Sequence, residues 1–316
     1  MLSCAFFMFI NKFKLFINVT ERFINLMIKE SAMLDYILVL IGVVGLIFAS
    51  ICDIKTREVP DWLNYSLIIS GLSLRGIYSL NLWDFSYFLD GLIGFGLFFL
   101  LGVALYYSKQ WGGGDAKLLM GIGALFGGYP LSLLDYFNPY LDFNFLVILI
   151  LNLIVVGALY GTLWGVVLVL KNFKEFLKEF KKVEKDLRGI LYLDLFIVLL
   201  ILLFVDELKW FFALLIFSVV LLIYLMVGLK IVEKISFIKV IPTTKLTEGD
   251  WIVDDVFYGG KRIYSSKSPG VTKKQISLIK KVKDRVKIKE GVPFVPGIAI
   301  SVFVSLVFGN LIMYLV

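Results

Sequence analysis

A chain of 316 residues that is 59% hydrophobic and only 18% charged has too little polar surface for a soluble fold, so its composition specifies an integral membrane protein. It contains no histidine, which excludes Ser-His-Asp and Cys-His triads, HExxH zinc sites and histidine proton shuttles. Its two cysteines, Cys4 and Cys52, offer neither a CxxC zinc module nor an evident disulfide framework, and the net charge of +7, gathered beside apolar segments, suits anionic lipid headgroups on the cytoplasmic side rather than nucleic acid.

Residues 1–32 are rich in Phe and Ile but broken by Lys12, Lys14, Glu21, Arg22 and Lys29, so no apolar run there reaches the roughly 20 residues a crossing needs. They read either as an amphipathic interfacial extension or as sequence upstream of a true start at Met33. Apolar segments at about 36–52, 62–82, 87–107, 116–134, 145–170, 191–205, 210–228 and 294–315 predict an all-α polytopic membrane protein with about eight transmembrane helices. Lys55 and Arg57 lie in one short connection and Lys109 and Lys117 flank another, while 83–86 and 135–144 carry Asp84, Asp135 and Asp142 with no Lys or Arg. With eight spans alternating, the positive-inside rule puts the two basic turns in the cytoplasm and both ends of the eight-span array outside, residues 33–228 forming the main transmembrane core. Arg75, late in the second span, and Asp90, early in the third, are expected to form a structural ion pair near the outer face. Asp194 lies near a span end, where headgroup water would solvate it, and no role is assigned to it.

Connector 171–190 places Phe173, Phe176, Leu177, Phe180, Val183 and Leu187 at helical spacing among seven basic and four acidic residues. That pattern predicts a helix lying on the cytoplasmic surface; membrane contact explains it more simply than a calmodulin-like partner. Residues 229–292 form a small α+β module facing the cytoplasm, with 15 basic and 7 acidic residues. Within it, Trp251–Tyr258 and Lys261–Tyr264 read as a β-hairpin closed by Gly259-Gly260. Thr272 and Gln275 make a capping box for a short helix, and Val286–Lys289 reads as a final strand. The segment 293–316 re-enters the membrane through Pro293-Phe-Val-Pro296.

Two acidic turns fall at cytoplasmic ends of spans. One is Asp53-Ile-Lys-Thr-Arg-Glu-Val-Pro-Asp61; the other is Trp111-Gly-Gly-Gly-Asp-Ala-Lys117. Peptide hydrolysis without metal, Ser or Cys chemistry needs a water held between two carboxyl groups, one ionised as general base and one protonated to polarise the carbonyl. Asp53 and Asp115 are the candidates, and the glycines are expected to let backbone approach closely and to adopt φ > 0, admitting an extended substrate beside Asp115. Other readings stay open on spacing alone. Asp115 is a candidate N-cap for the fourth span and Asp61 for the second, and Asp53 is a candidate headgroup-level charge beside Lys55 and Arg57. Phosphate cradling by the glycine run is disfavoured, since no Walker-type Lys-Ser/Thr follows and Asp115 would repel the anion.

The Gly112-Gly113-Gly114-Asp115 stretch resembles the GxGD motif of intramembrane aspartic proteases. Asp53-Ile-Lys-Thr-Arg-Glu-Val-Pro60 is similar to the first-aspartate turn of type IV prepilin peptidases. Leu246–Asp250, Gly270–Ile276 and Gly291–Pro296 resemble the C-terminal part of archaeal prepilin and preflagellin peptidases. The resemblance implies a catalytic pair of Asp53 and Asp115, loop-shaping roles for Gly112 and Gly114, and a motif neighbour in Lys117. It implies cleavage of the short basic leader of pilin or archaellin precursors at the cytoplasmic face of the cell membrane, with no cofactor or metal and membrane lipids as the other partner. The cysteine-based zinc module of bacterial bifunctional enzymes is absent, so no methyltransferase activity is expected, and the presenilin-like Pro-Ala-Leu motif is absent too. The competing expectation is a non-enzymatic transporter or pilus-assembly platform with Asp53 and Asp115 lining a polar path.

Overall fold

The computed structural model describes residues 31–204, 208–268 and 270–314; the reading of the N-terminal extension falls almost wholly outside them. The chain forms two compact units, Met1–Leu159 with Pro293–Val316, and Tyr160–Val292. The first unit contains α1 (Ser31–Thr56), α2 (Asp61–Leu82), α3 (Ser86–Tyr107), α4 (Gly113–Leu125), most of α5 (Phe145–Lys171) and, from the far end of the sequence, α9 (Val295–Phe308). α5 runs on into the second unit, followed there by α6 (Phe173–Phe204) and α7 (Lys209–Val232). Among the described residues four helices are long and apolar enough to cross a membrane: α1, α3, α5, and α7 with its continuation to Phe237.

The turns of the first unit place both acidic segments. α1 stops where Arg57 takes a left-handed backbone (φ 62) and its N–H closes on the Asp53 carbonyl at 2.9 Å. Pro60, which cannot donate a helical N–H, starts α2. This corrects the expectation that Asp61 caps α2: Pro60 is the cap and Asp61 the first helical residue. α3 and α4 pack closely because glycines face each other. A Cβ on Gly94 would sit 2.2 Å from the Gly123 carbonyl oxygen, and one on Gly123 would sit 2.3 Å from that of Gly94, so backbone meets backbone as in small-residue membrane packing.

The fourth predicted span is shorter than its apolar stretch. α4 ends at Leu125, 13 residues long, because Arg75 caps it. The guanidinium donates to the Ala124 carbonyl through Nε (3.2 Å), to Leu125 through Nη2 (2.8 Å) and to Tyr87 through Nη1 (3.2 Å). Ala124 and Leu125 are terminal carbonyls that no helical N–H can reach, and a cation suits the negative pole there. The expected Arg75–Asp90 ion pair is therefore corrected: Asp90 acts on Arg75 only through its field, while the hydrogen bonds go to backbone. Arg75→Met is expected to cost about 3 kcal/mol, the worth of charged hydrogen bonds to buried carbonyls, and to lower the melting temperature in detergent well beyond Asp90→Asn. Equal losses would restore the ion pair.

α9 is held at its far end by a buried amide network. Asn152 Nδ2 donates to Ser305 Oγ (2.8 Å) and the Gly309 carbonyl (2.7 Å), and its Oδ1 accepts the Leu311 N–H at 3.0 Å. Asn310 donates to both oxygens of Asp142, at 3.1 and 3.0 Å, and the Tyr129 hydroxyl donates to the Leu306 carbonyl at 2.9 Å.

In the second unit, connector 171–190 and the span 191–205 prove to be one helix, α6, so the surface helix is not a separate element. Its apolar spacing packs on α7, for example through Phe180 and Tyr224, 6.5 Å between ring centres. Asp194 is also corrected: it is 5% exposed, and its Oδ2 has no hydrogen-bond partner. The β-structure comprises β1 (Ile238–Pro242), β2 (Trp251–Ile252), β3 (Val256–Tyr258), β4 (Lys261–Tyr264) and β5 (Arg285–Lys289), with α8 (Lys273–Ile279) between the last two. The Thr272–Gln275 capping box closes as expected. The hairpin is shorter than expected. Only β3 and β4 pair across Gly259-Gly260 (φ 55 and 77), while Trp251 and Ile252 pair with Lys289 and Ile288 of β5. β5 is thus central in the order β1-β5-β2, over a core of Ile252, Val256, Tyr264, Ile279 and Val286.

Candidate active site

Asp53 lies in the last turn of α1 and is 4% exposed. Its Oδ2 accepts the Val295 N–H at 2.9 Å, a bond to the first residue of α9, 242 positions along the chain. Asp115 is the third residue of α4, outside the four long apolar helices. Gly112 is the N-cap in extended conformation, and Asp115 reaches back so that its Oδ2 accepts the Gly112 N–H at 3.4 Å. Glycine has no side chain to return the bond, so only this half of a capping box exists. The N-cap reading of Asp115 is corrected accordingly: it is the N3 partner of a glycine cap.

The two carboxyls face one electrostatic environment. Asp115 is half-buried by residue surface, but protein crowds its carboxyl. Lost hydration first, and the Asp53 charge second, push its pKa up to about 7, against a small lowering by the Gly112 N–H. A carboxylic acid that keeps its proton to neutral pH beside a second carboxyl is the arrangement in which two acids share one proton.

The glycines serve by close approach. Gly112 has φ −72, and none of Gly112, Gly113 and Gly114 takes a positive φ, contrary to expectation. Gly114 lies against the first acidic turn, where a Cβ would meet the Val59 backbone nitrogen at 3.2 Å, and its carbonyl accepts from Asn64 Nδ2 at 3.1 Å. Lys117 pairs with Asp61 at 2.7 Å, its ammonium 5.5 Å from the Tyr65 ring centre. Both contacts tie the GGGD segment to the turn after Asp53. Sequence reasoning assigned no contact to Phe294 and Val295. Phe294 packs against Trp111 with tilted rings (ring centres 5.3 Å, planes at 55°), so adjacent residues touch both aspartate segments. The signal was Pro293-Phe-Val-Pro296, whose prolines flank an N–H that has no helical partner. Among the described residues no cluster of His, Cys, Asp and Glu is arranged to hold a metal.

Residues 40–165, which include both aspartates and everything between them, match the model of the type IV leader peptidase family. Over these residues the chain resembles that family. The chain is similar to preflagellin peptidases of Methanocaldococcus jannaschii, 30% identical over 42% of this chain and 56% of that protein, and of Methanococcus maripaludis, 29% identical over 44% of this chain and 59% of that protein. The chain thus spans little more than half the length of these curated relatives. The prepilin peptidase EppA of Methanothermobacter thermautotrophicus is 21% identical over 89% of this chain and 97% of that protein. No solved structure matches. Family and apolar helices together make the chain a membrane protein.

Proposed function

We propose that the protein is a membrane aspartic endopeptidase that removes the short basic leader from type IV pilin-like precursors, pilin or archaellin, at the cytoplasmic face of the cell membrane. The observation that carries this reading is that Asp53 and Asp115, sequestered carboxyls from separate helices within the segment that matches the leader peptidase model, feel each other's charge, which with burial lifts Asp115 to about 7. Both are the catalytic residues. A water between them attacks the scissile carbonyl, with the ionised carboxyl as base and the protonated one as acid. Gly112 and Gly114 shape the loop beside the substrate, and Lys117, through Asp61, fixes the entry of α4.

The chain crosses the membrane eight times, the fourth crossing beginning after Asp115, and α4 and α9 complete their crossings through the short turns Leu131–Asp135 and Leu311–Tyr314. The basic turns Lys55–Arg57 and Lys109–Lys117 and the module 229–292 then face the cytoplasm, where the leader of a pilin-like precursor remains. The surplus positive charge of the module suits lipid phosphates rather than a basic leader.

The test is incubation of the purified full chain in micelles with a panel of pilin and archaellin precursors, with product termini identified by mass spectrometry. One cut directly after the basic leader is expected. No cleavage of any precursor between pH 5 and 8 would remove the peptidase reading and favour the transporter or assembly-platform reading.

A further inference from the structure

The dipeptide Phe294-Val295 is a single short segment that contacts Asp53 and the support of Asp115. Val295 N–H lies on Asp53 Oδ2, and the Phe294 ring lies on Trp111, at the start of the segment whose Gly112 N–H holds Asp115 Oδ2. Its own position is fixed. Val295 is fully buried, a Cβ on Gly157 would meet the Phe294 ring at 2.7 Å, and the far end of α9 is held by the Asn152 and Asn310 network.

The donors on the two carboxyls are unequal. Asp53 has a 2.9 Å bond from the leading N–H of a 14-residue helix, a short donor to its charged form. Pro296, next in that turn, contributes no competing N–H. Among the described residues Asp115 has the longer 3.4 Å bond from Gly112.

We propose that Val295 and Phe294 are positioning residues that direct the shared proton to Asp115 and make Asp53 the base. This rests on the peptidase reading above and adds an asymmetry between its two acids. With Oδ2 of each carboxyl engaged, the Oδ1 atoms face the reaction. Water passes a proton to Asp53 Oδ1 as its oxygen bonds to the scissile carbonyl carbon, and Asp115 Oδ1–H gives its proton to the carbonyl oxygen. Collapse of the resulting diol breaks the C–N bond. The leaving nitrogen takes the proton from Asp53, and a diol hydroxyl returns one to Asp115, which restores both groups.

The test replaces the Val295 amide by an ester, using the α-hydroxy analogue of valine in the full chain. This removes the N–H and keeps the side chain. Against a cleavable precursor in micelles, kcat is expected to fall about ten- to a hundredfold with KM changed less than about twofold, and the acid limb of the kcat–pH profile to move up by about 1 to 2 pH units. Wild-type kcat and an unmoved limb would overturn the proposal. If the ester protein does not fold, Phe294→Ala and Phe294→Leu decide. A lowered kcat in the first, largely restored in the second, supports positioning, and unchanged kcat in Phe294→Ala overturns it. Failure of wild type to cleave would instead remove the peptidase reading, so the two failures are distinct.

Discussion

Asp53→Asn and Asp115→Asn are each expected to lower precursor cleavage by at least about 10³-fold, because an amide can neither accept the water proton nor carry one to the substrate. The pH dependence follows from Asp115. The active pair holds one proton, and with Asp115 titrating at about 7 the rate of the wild type falls as pH rises through 7. Stability has a matching sign. The folded pKa lies above the ordinary 3.8, so the folded chain keeps a proton that the unfolded chain has released. The contribution of Asp115 is fully present below about pH 4 and is lost as pH rises through about 7. Asp115→Asn, neutral throughout, lacks that loss, so above pH 7 it should melt no earlier than wild type while remaining inactive. Cleavage assays beside thermal unfolding in detergent check both halves. Residual cleavage within tenfold of wild type in either variant would remove that aspartate from the chemistry.

Gly94→Ala and Gly123→Ala should be among the most destabilising single-methyl changes in the protein. At both, the new carbon falls 2.2–2.3 Å from a backbone oxygen of the facing helix, more than an ångström inside ordinary contact, and backbone cannot rotate aside as a side chain can. Overpacking of this kind costs about 1 to 3 kcal/mol or more. Gly96, on the same α3, has open space where its Cβ would go, so Gly96→Ala should be neutral or slightly stabilising through helix propensity. Because α4 carries Asp115, the first two changes should also depress cleavage. Melting temperatures for the three variants measured side by side test the packing; Gly94→Ala and Gly123→Ala as stable as Gly96→Ala would refute it.

What could be read in advance was local. The long apolar runs of α1, α3 and α5 declare themselves by hydropathy, and the Thr272–Gln275 box and the Gly259-Gly260 turn are signals within a few residues. Asp53 and Asp115 stood out because each follows or opens an apolar run within a distinctive turn. The misreadings arose where a distant partner decides. Apolar sequence continues past Leu125 through Phe126, Tyr129 and Leu131, and nothing local shows that Arg75, 50 residues earlier, caps the helix there. Trp251 and Ile252 have strand character, but their choice of β5 over the hairpin depends on a segment more than thirty residues on. The Val295 bond to Asp53 spans 242 positions and leaves no periodic trace. Of the two uses expected of the glycines at 112–114, the folded chain takes close approach, with Val59 against the missing side chain of Gly114, and not a positive φ.

The sheet of the second unit has its last-made strand in the middle, with β1 on one side and β2 on the other. While the ribosome is still adding residues before 285, those two earlier strands have nothing to zip against, and such remote pairings close slowly. The nascent polypeptide therefore passes through a stage with open strand edges after most of its hydrophobic helices have been delivered to the translocon, and this is the interval in which a chaperone or a second nascent copy would find it.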